Sequence, residues 1–206
     1  MKEQNRFDEA AATWDEKPRR VKTARDVAAA IARRVELSRE MDVLDFGCGT
    51  GLLSLALQPL VRSVTGVDTS PGMLDVLRAK VREGGITSVA TVLLERGARP
   101  VLPAGPFDLV VSSMALHHVE DLASLFRAFR SCLRPGGLVA LADLDREDGT
   151  FHEDPRDVFH LGFERDEVIG LLHGAGFTEL AATTAATVRK NDREYPIFLV
   201  AGIAKQ

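Results

Sequence analysis

The chain has 206 residues, of which 45% are hydrophobic, 27% charged and 6% aromatic, so it is long enough to form one domain with a substantial core and too apolar to be disordered throughout. Its 26 Lys and Arg against 30 Asp and Glu leave a net charge of −4, which argues against the strongly basic surface typical of proteins that bind nucleic acid. The first 15 residues contain no continuous apolar run. We therefore expect no secretory signal, no membrane partner, a cytoplasmic location, and free thiols at Cys48 and Cys132.

Hydrophobic periodicity divides most of the chain into alternating helices and strands. Apolar residues recur every three or four positions over residues 18–37, which predicts a first helix. Short apolar runs and amphipathic segments then alternate, which is typical of a parallel sheet covered by helices. Strands are expected at residues 42–46, 63–67, 89–94, 107–112 and 138–144, and helices at residues 52–60, 71–83 and 122–133.

The last 40 residues follow a different pattern. A short helix is expected at residues 166–173, and two β-rich runs follow at residues 182–188 and 197–203. The polar segment 189–194 between these runs predicts that they pair as an antiparallel hairpin. The predicted fold class is therefore α/β, with about seven strands that are mostly parallel.

A glycine-rich loop follows the first strand and precedes the next helix. Gly47, Gly49 and Gly51 come directly after that strand, where small residues let the backbone approach a ligand and where a helix start offers unpaired N–H groups. A dinucleotide fingerprint needs a third glycine at its sixth position, which is Leu52 here, so pyrophosphate binding is disfavoured. The alternative is a tight strand-to-helix turn that binds nothing.

An acidic residue ends the second predicted strand. Asp68 lies 17 residues after Gly51 (68 − 51), close to the offset of about 20 residues at which a carboxylate binds a ribose hydroxyl pair in α/β nucleotide sites. The alternative role is to stabilise the start of the next helix, although Ser70 already serves as a candidate cap there. Together with the glycine loop, the ribose role is favoured.

These residues resemble those of the class I methyltransferases that use S-adenosylmethionine. Four motifs within residues 42–144 carry the resemblance in the expected order: LDFGCGTG, GVDTSPGML, FDLVVSSMALHHV and LRPGGLVAL. The segment SSMALHHVED is most similar to the small-molecule branch that includes ubiquinone and menaquinone biosynthesis methyltransferases. The resemblance implies a Rossmann-like seven-stranded sheet with helices on both faces, S-adenosylmethionine as the cofactor, S-adenosylhomocysteine as its product, and direct in-line transfer of a methyl group to a small molecule.

The resemblance also implies roles for individual residues. Asp45 and the loop backbone from Gly47 to Gly51 would hold the methionine moiety, and Asp68 would hold the ribose. The other implied cofactor contacts are Cys48 in the loop, Thr69 and Met73 beside the adenine, Gly97 and Ala98 at the adenine rim, and Ser112 or Ser113 with Met114 near the sulfonium. Where many relatives have Gly-Asp-Ala, this chain has Gly97-Ala98-Arg99, so the Ala98 backbone N–H rather than an Asp side chain is expected to reach the adenine. Glu95 and Arg96 are the alternative at the adenine rim, although a solvated pair is expected there.

The methyl acceptor is expected near the ends of the fourth and fifth strands. His117 is the candidate catalytic residue, because a histidine near neutrality takes or steers the proton of a phenol, enol or carbon acid. A polar residue hydrogen-bonded in a turn is the alternative, and His118 is expected to point elsewhere if the pair lies in extended chain. The expected substrate-binding residues are Phe7, Trp14, His117, His152, His160 and Phe163.

The long connection after the fifth strand, residues 145–164, is rich in histidine, phenylalanine and acids, as binding segments often are. His152, Asp154 and His160 are acceptable metal ligands, but their spacing fits no known metal-binding pattern, so no metal is expected. Aromatic packing beneath a lid is the alternative role for Phe159 and Phe163.

We expect residues 1–206 to form a single methyltransferase domain. Within it, residues 1–40 are expected to be a helical cover, residues 41–144 the cofactor-binding core, and residues 145–206 the substrate-side connection and hairpin. A catalytically inactive S-adenosylmethionine-binding regulatory or scaffolding module is the alternative function. The sequence identifies neither the acceptor, nor the attacked atom, nor the oligomeric state.

Overall fold

The computed structural model describes residues 6–95 and 101–205. Its helices are α1 (Arg6–Ala10), α2 (Pro18–Arg34), α3 (Leu52–Leu57), α4 (Pro71–Glu83), α5 (Leu122–Cys132) and α6 (Arg165–Gly174). Its strands are β1 (Asp42–Phe46), β2 (Ser63–Asp68), β3 (Val89–Leu93), β4 (Phe107–Ser113), β5 (Leu133–Leu144), β6 (Phe177–Lys190) and β7 (Arg193–Ala204). Short 3₁₀ turns occur at Ala11–Glu16, Gln58–Leu60 and Leu116–His118. Within the described ranges, no helix combines the length and apolar character needed to cross a bilayer.

The seven strands form one sheet in the order β3-β2-β1-β4-β5-β7-β6. Strands β1 to β5 pair in parallel, whereas β7 is antiparallel to both β5 and β6. The chain order reverses between β1 and β4, and in open α/β sheets the ligand crevice lies at such a reversal, beyond the carboxyl ends of the strands. The predicted α/β fold, with helices on both faces and a C-terminal antiparallel hairpin, is confirmed.

Two apolar layers cover the sheet. On one face, the buried rings of Phe126 and Phe129 from α5 pack with Phe46 of β1 and with residues of α6. On the other face, α2 and α3 contribute Ile31 and Leu57, among others. Because side chains alternate between the faces of a strand, neighbouring residues such as Val43 and Leu44 belong to different layers. The central parallel strands β1 and β4 are buried on both faces, which explains their nearly continuous apolar sequences.

The main differences from the sequence prediction concern element boundaries. The first helix ends at Arg34 rather than near residue 37, because Val35 is extended (φ −116°, ψ 126°) and buried. Strand β5 starts at Leu133 rather than residue 138, because Leu133 pairs with Phe107 ahead of a register shift. The hairpin strands are longer than predicted, and the turn contracts to Asn191 and Asp192, whose φ values of 51° and 59° are typical of a type I′ turn.

The apolar layer under α5 leads to a stability prediction. Phe129→Ala removes a fully buried ring that packs edge-on against Phe46 at 5.3 Å, and should lower the free energy of unfolding by about 3–5 kcal/mol. The matched control is Phe159→Ala, because that ring is 52% exposed and its loss should change stability by no more than about 0.5 kcal/mol. Urea unfolding measures both variants, and equal losses would contradict this account of the core.

Candidate active site

The loop after β1 turns sharply beneath the end of β2. The backbone N–H groups of Gly47 and Cys48 both donate to the Val67 carbonyl, at 2.9 and 3.1 Å. Gly47 has a φ of +68°, and a Cβ there would lie 2.3 Å from the Cβ of Ala115, so this position requires glycine. Gly49 has open space around its missing side chain, with Met73 Sδ the nearest atom at 4.0 Å. The loop therefore leaves room for a ligand beside Gly49.

Asp68, at the end of β2, stabilises the same loop through hydrogen bonds. One carboxylate oxygen accepts from the Gly49 N–H at 2.8 Å, and the other accepts from the Ser70 N–H at 2.8 Å. Burial raises the pKa of Asp68, and these backbone donors partly oppose that rise. Asp68 lines a cavity together with Thr69 and Met73, so the structure brings the predicted ribose and adenine residues to one wall.

Asp45 lies deeper, at the end of β1. Its carboxylate is buried and accepts a 2.5 Å hydrogen bond from the Ser54 hydroxyl. Burial, followed by the negative charge of Asp68, raises the pKa of Asp45 to about 7, although the Ser54 bond opposes the rise. A carboxyl group with this pKa changes its charge within the physiological pH range and responds to any cation placed beside it.

The cavity beyond these strand ends has a volume of about 650 Å³, which is within the range of small-molecule sites. One end is formed by the glycine loop and the end of β2. The other end is formed by the turn after β4, by α1 and the 3₁₀ turn after it, and by the connection after β5. The predicted site residues that line the cavity are Phe7, Trp14, Asp45, Gly47, Cys48, Gly49, Asp68, Thr69, Met73, Ser113, Met114, His117 and His152.

His117 is held by a buried carboxylate from the next strand. Its Nδ1 lies 2.7 Å from Asp143 Oδ1, and the side chains of the pair are 2% and 0% exposed. Asp143 also accepts from the backbone N–H groups of Leu116 and His117 at 2.8 and 3.3 Å. Burial alone would raise the pKa of Asp143, but the charge of His117 and its hydrogen bond outweigh burial and lower it. In its neutral form with the proton on Nδ1, His117 donates to Asp143 and leaves Nε2 as an acceptor.

His118 does not point away from the cavity, so that expectation was wrong. Residues Leu116–His118 form a 3₁₀ turn rather than extended chain, and the rings of His117 and His118 lie 4.0 Å apart in the cavity wall. The His152 ring is 4.7 Å from that of His117. Burial, followed by the charge of His117, lowers the pKa of His118 to about 3 and that of His152 to about 4. Both rings are therefore neutral at physiological pH.

Several predicted site residues lie outside the cavity wall. Phe163 is buried in the core against Phe198, and His160 directs its Nε2 to the Val119 carbonyl at 2.9 Å. Ser112 donates to the Phe46 carbonyl at 2.9 Å. Gly51 packs on Leu77 and is also outside the wall. Gly97 and Ala98 lie outside the described residues. Among residues 6–95 and 101–205, no three His, Cys, Asp or Glu side chains are grouped so that they could hold a metal ion.

Acidic side chains attach the N-terminal segment to the cofactor-side loops. Asp8 accepts from the Ser70 hydroxyl at 2.5 Å and from the Gly72 N–H at 2.9 Å, at the start of α4. Asp15 accepts from the Thr50 hydroxyl at 2.6 Å and pairs with Lys80 of α4. The segment carrying Phe7 and Trp14 therefore closes one side of the cavity.

Sequence reasoning missed Asp143 and Arg6. Asp143 is the single acid within the otherwise apolar run of residues 138–144, and a charged residue in a buried strand is a signal of function. Arg6 belongs to the cavity wall, but its hydrogen-bond partner Asp154 is 148 positions away, and the sequence carries no signal for that proximity.

The site's shape and polarity fit S-adenosylmethionine. The open space beside Gly49 lets a ligand approach the loop backbone. The carboxyl group of Asp68 suits a pair of hydroxyl groups, and the buried carboxyl of Asp45 suits the cationic methionine end. The fit rests on cavity shape, glycine geometry and the charge of the two carboxyl groups.

Comparison with known proteins also indicates a methyltransferase. The methyltransferase domain family model matches residues 19–184. A ubiquinone biosynthesis O-methyltransferase of Methylobacterium sp. (strain 4-46) is 36% identical over 157 residues, covering 68% of this chain and 62% of that protein. The chain spans about half the length of other curated relatives that it matches.

Two solved structures share the fold. The putative methyltransferase in complex with the Haloferax volcanii Trm112 methyltransferase activator aligns with a TM-score of 0.80 at 20% identity, covering 99% of this chain and 100% of that one. Phosphoethanolamine N-methyltransferase 2 of Haemonchus contortus, bound to S-adenosyl-L-methionine, aligns with a TM-score of 0.71 at 18% identity, covering 87% of this chain and 52% of that one. The chain is a member of the class I S-adenosylmethionine-dependent methyltransferases.

Proposed function

We propose that the protein transfers a methyl group from S-adenosylmethionine to an oxygen atom of a small molecule, with His117 as the general base. The observation that carries this proposal is the buried pair of His117 and Asp143, 2.7 Å apart, in the wall of the cavity that also contains the glycine loop. Curated relatives named ubiquinone biosynthesis O-methyltransferase support oxygen as the attacked atom. The net charge of −4 is consistent with a small-molecule acceptor rather than a nucleic acid.

The cofactor end of the cavity would position the methyl donor for the reaction. When bound, S-adenosylmethionine supplies a methyl group that its positive sulfur has already activated. In this proposal Asp68 would accept from the ribose hydroxyls, Met73 would lie beside the adenine, and Asp45 with the loop at Gly49 would hold the methionine end, since all of them line the same cavity. Holding two reactants in line converts a bimolecular encounter into a unimolecular step and lowers the barrier by several kcal/mol.

His117 prepares the acceptor. Nε2 would accept the proton of the acceptor hydroxyl as its oxygen attacks, and bound S-adenosylmethionine would supply the methyl group and keep the electrons of its carbon–sulfur bond as a neutral thioether. Asp143 keeps the proton on Nδ1 and stabilises the imidazolium that forms. The pair thus works as a base and its orienting carboxylate.

The two histidine rings beside His117 add no charge to the cavity wall. His118 and His152 are neutral at physiological pH, since their pKa values are lowered to about 3 and about 4 by burial and by the charge of His117. Phe7 packs edge-on against His118 at 5.1 Å and against Trp14 at 5.9 Å. These rings from the N-terminal segment form a closed, largely aromatic end for a planar acceptor.

Replacing the proposed base provides the direct test. His117→Ala should lower kcat by about 10²- to 10⁴-fold and leave the affinity for S-adenosylmethionine unchanged, because the base for proton transfer is lost. Release of S-adenosylhomocysteine measures the rate. The matched control is His173→Ala, an exposed histidine on α6. Full activity of His117→Ala would exclude the residue as the base.

Ionisation of Asp45 predicts a pH dependence of cofactor binding. Its pKa of about 7 means that the carboxyl is partly protonated in the free protein near neutrality, while a bound cation favours the carboxylate. The affinity should therefore rise between about pH 6 and about pH 8, with proton release on binding below the pKa. Calorimetry in two buffers of different ionisation enthalpy measures both effects.

Two variants serve as controls for that titration. Asp45→Asn should abolish the pH dependence, whereas Asp75→Asn should retain it, because the Asp75 side chain is 72% exposed on α4. An unchanged pH dependence in Asp45→Asn would assign the titration to another group.

A broad acceptor panel distinguishes an enzyme from an inactive binding module. Both bind S-adenosylmethionine, so binding does not separate them. Formation of S-adenosylhomocysteine that depends on an added hydroxyl compound and on His117 supports the proposed function, and its absence with every hydroxyl acceptor and with a metabolite extract would refute it.

A further inference from the structure

Two buried polar atoms in the cavity wall have no hydrogen-bond partner among the described residues: Arg6 Nε and His152 Nε2. A buried polar atom without a partner costs free energy unless a ligand or water completes it. Both residues belong to the same cavity wall as the proposed base. The His152 ring lies 4.7 Å from the His117 ring, and the Arg6 guanidinium lies 4.8 Å from the ring centre of Phe7, which packs on His118.

The charge of Arg6 is weakly neutralised by the protein. Its side chain is 15% exposed, and its ion pair with Asp154 is stretched to 4.0 Å. Its Nη1 instead donates to the neutral backbone carbonyl of Asp154 at 2.6 Å, while the Asp154 carboxylate pairs with Arg156 at 2.6 Å. A buried cation with an unused donor favours an anionic ligand, and a guanidinium fits the two oxygens of a carboxylate.

We propose that Arg6 and His152 bind a carboxylate of the methyl acceptor, close to the hydroxyl that His117 deprotonates. This inference rests on the proposed function and specifies its substrate class: a planar hydroxy acid. The aromatic rings of Phe7 and Trp14 pack against its flat face, and the carboxylate completes both unpaired atoms. Arg6 thereby determines specificity, and the N-terminal segment becomes part of the acceptor site rather than only a cover.

Trp14 makes the test direct, because it is the single tryptophan of the chain and lines the cavity. With S-adenosylhomocysteine bound to the protein, Trp14 fluorescence is titrated with 2-hydroxybenzoate and with its neutral analogue 2-hydroxybenzamide. The acid should bind at least about tenfold more tightly than the amide, as expected for a charge-assisted hydrogen bond in a buried site.

The variants separate charge recognition from a structural role. Arg6→Gln should reduce the acid-to-amide affinity ratio to about one, because only the charged partner is lost. Arg25→Gln, an exposed arginine on α2, should keep the wild-type ratio. If Arg6 served only to anchor α1, Arg6→Gln would weaken both ligands equally and leave the ratio intact. That result, or equal or absent binding of the acid by the wild-type protein, overturns the inference.

The outcomes also distinguish this inference from the proposed function. Efficient His117-dependent methylation of neutral hydroxyl compounds, unaffected by Arg6→Gln, would refute the carboxylate site and leave the O-methyltransferase proposal intact. Failure of every hydroxyl acceptor to yield S-adenosylhomocysteine would refute the proposed function itself.

Discussion

The buried carboxylate of Asp143 determines the geometry of the acceptor side. It lies at the end of β5, opposite Phe198 of β7, where it is shielded from water. A charge in that position requires partners, and it obtains them from the backbone N–H groups of Leu116 and His117 and from the His117 ring. These bonds fold the chain after β4 into a tight turn. The cost of burying one carboxylate is thus offset by bonds that also orient the proposed base.

In the N-terminal segment, too, acidic side chains are held by hydrogen-bond donors and by a cation. Asp8 accepts from the first turn of α4, and Asp15 reaches Thr50 and Lys80. An acid at a helix N-terminus is favourable because unpaired N–H groups and the helix dipole are there. The loops proposed to hold the cofactor therefore also anchor the N-terminal segment. A change in either one affects the other through these few hydrogen bonds.

Local patterns in the sequence predicted most of the fold and the cofactor end. The cap at Ser70 accepts from the Met73 N–H at 3.1 Å as predicted, and the cap at Asp121 accepts from the Ser124 N–H at 2.9 Å. Such features depend on residues three or four positions apart. The motif order placed the glycine loop and Asp68 together, because carboxyl ends of parallel strands meet at one edge. Acceptor-side predictions such as Phe163 were less accurate, since aromatic composition does not distinguish a core ring from a cavity ring.

The sequence by itself determined the α/β class, the parallel strands with their terminal hairpin, and the family, because these follow from hydrophobic period, turn residues and contiguous motifs. Tertiary structure alone decided that His117 pairs with Asp143, 26 residues away, and that Arg6 reaches Asp154, 148 residues away. It also decided that His118 faces the cavity, because a 3₁₀ turn replaces extended chain there. Local preferences carry no information about such distant pairs, since packing of the whole sheet brings them together.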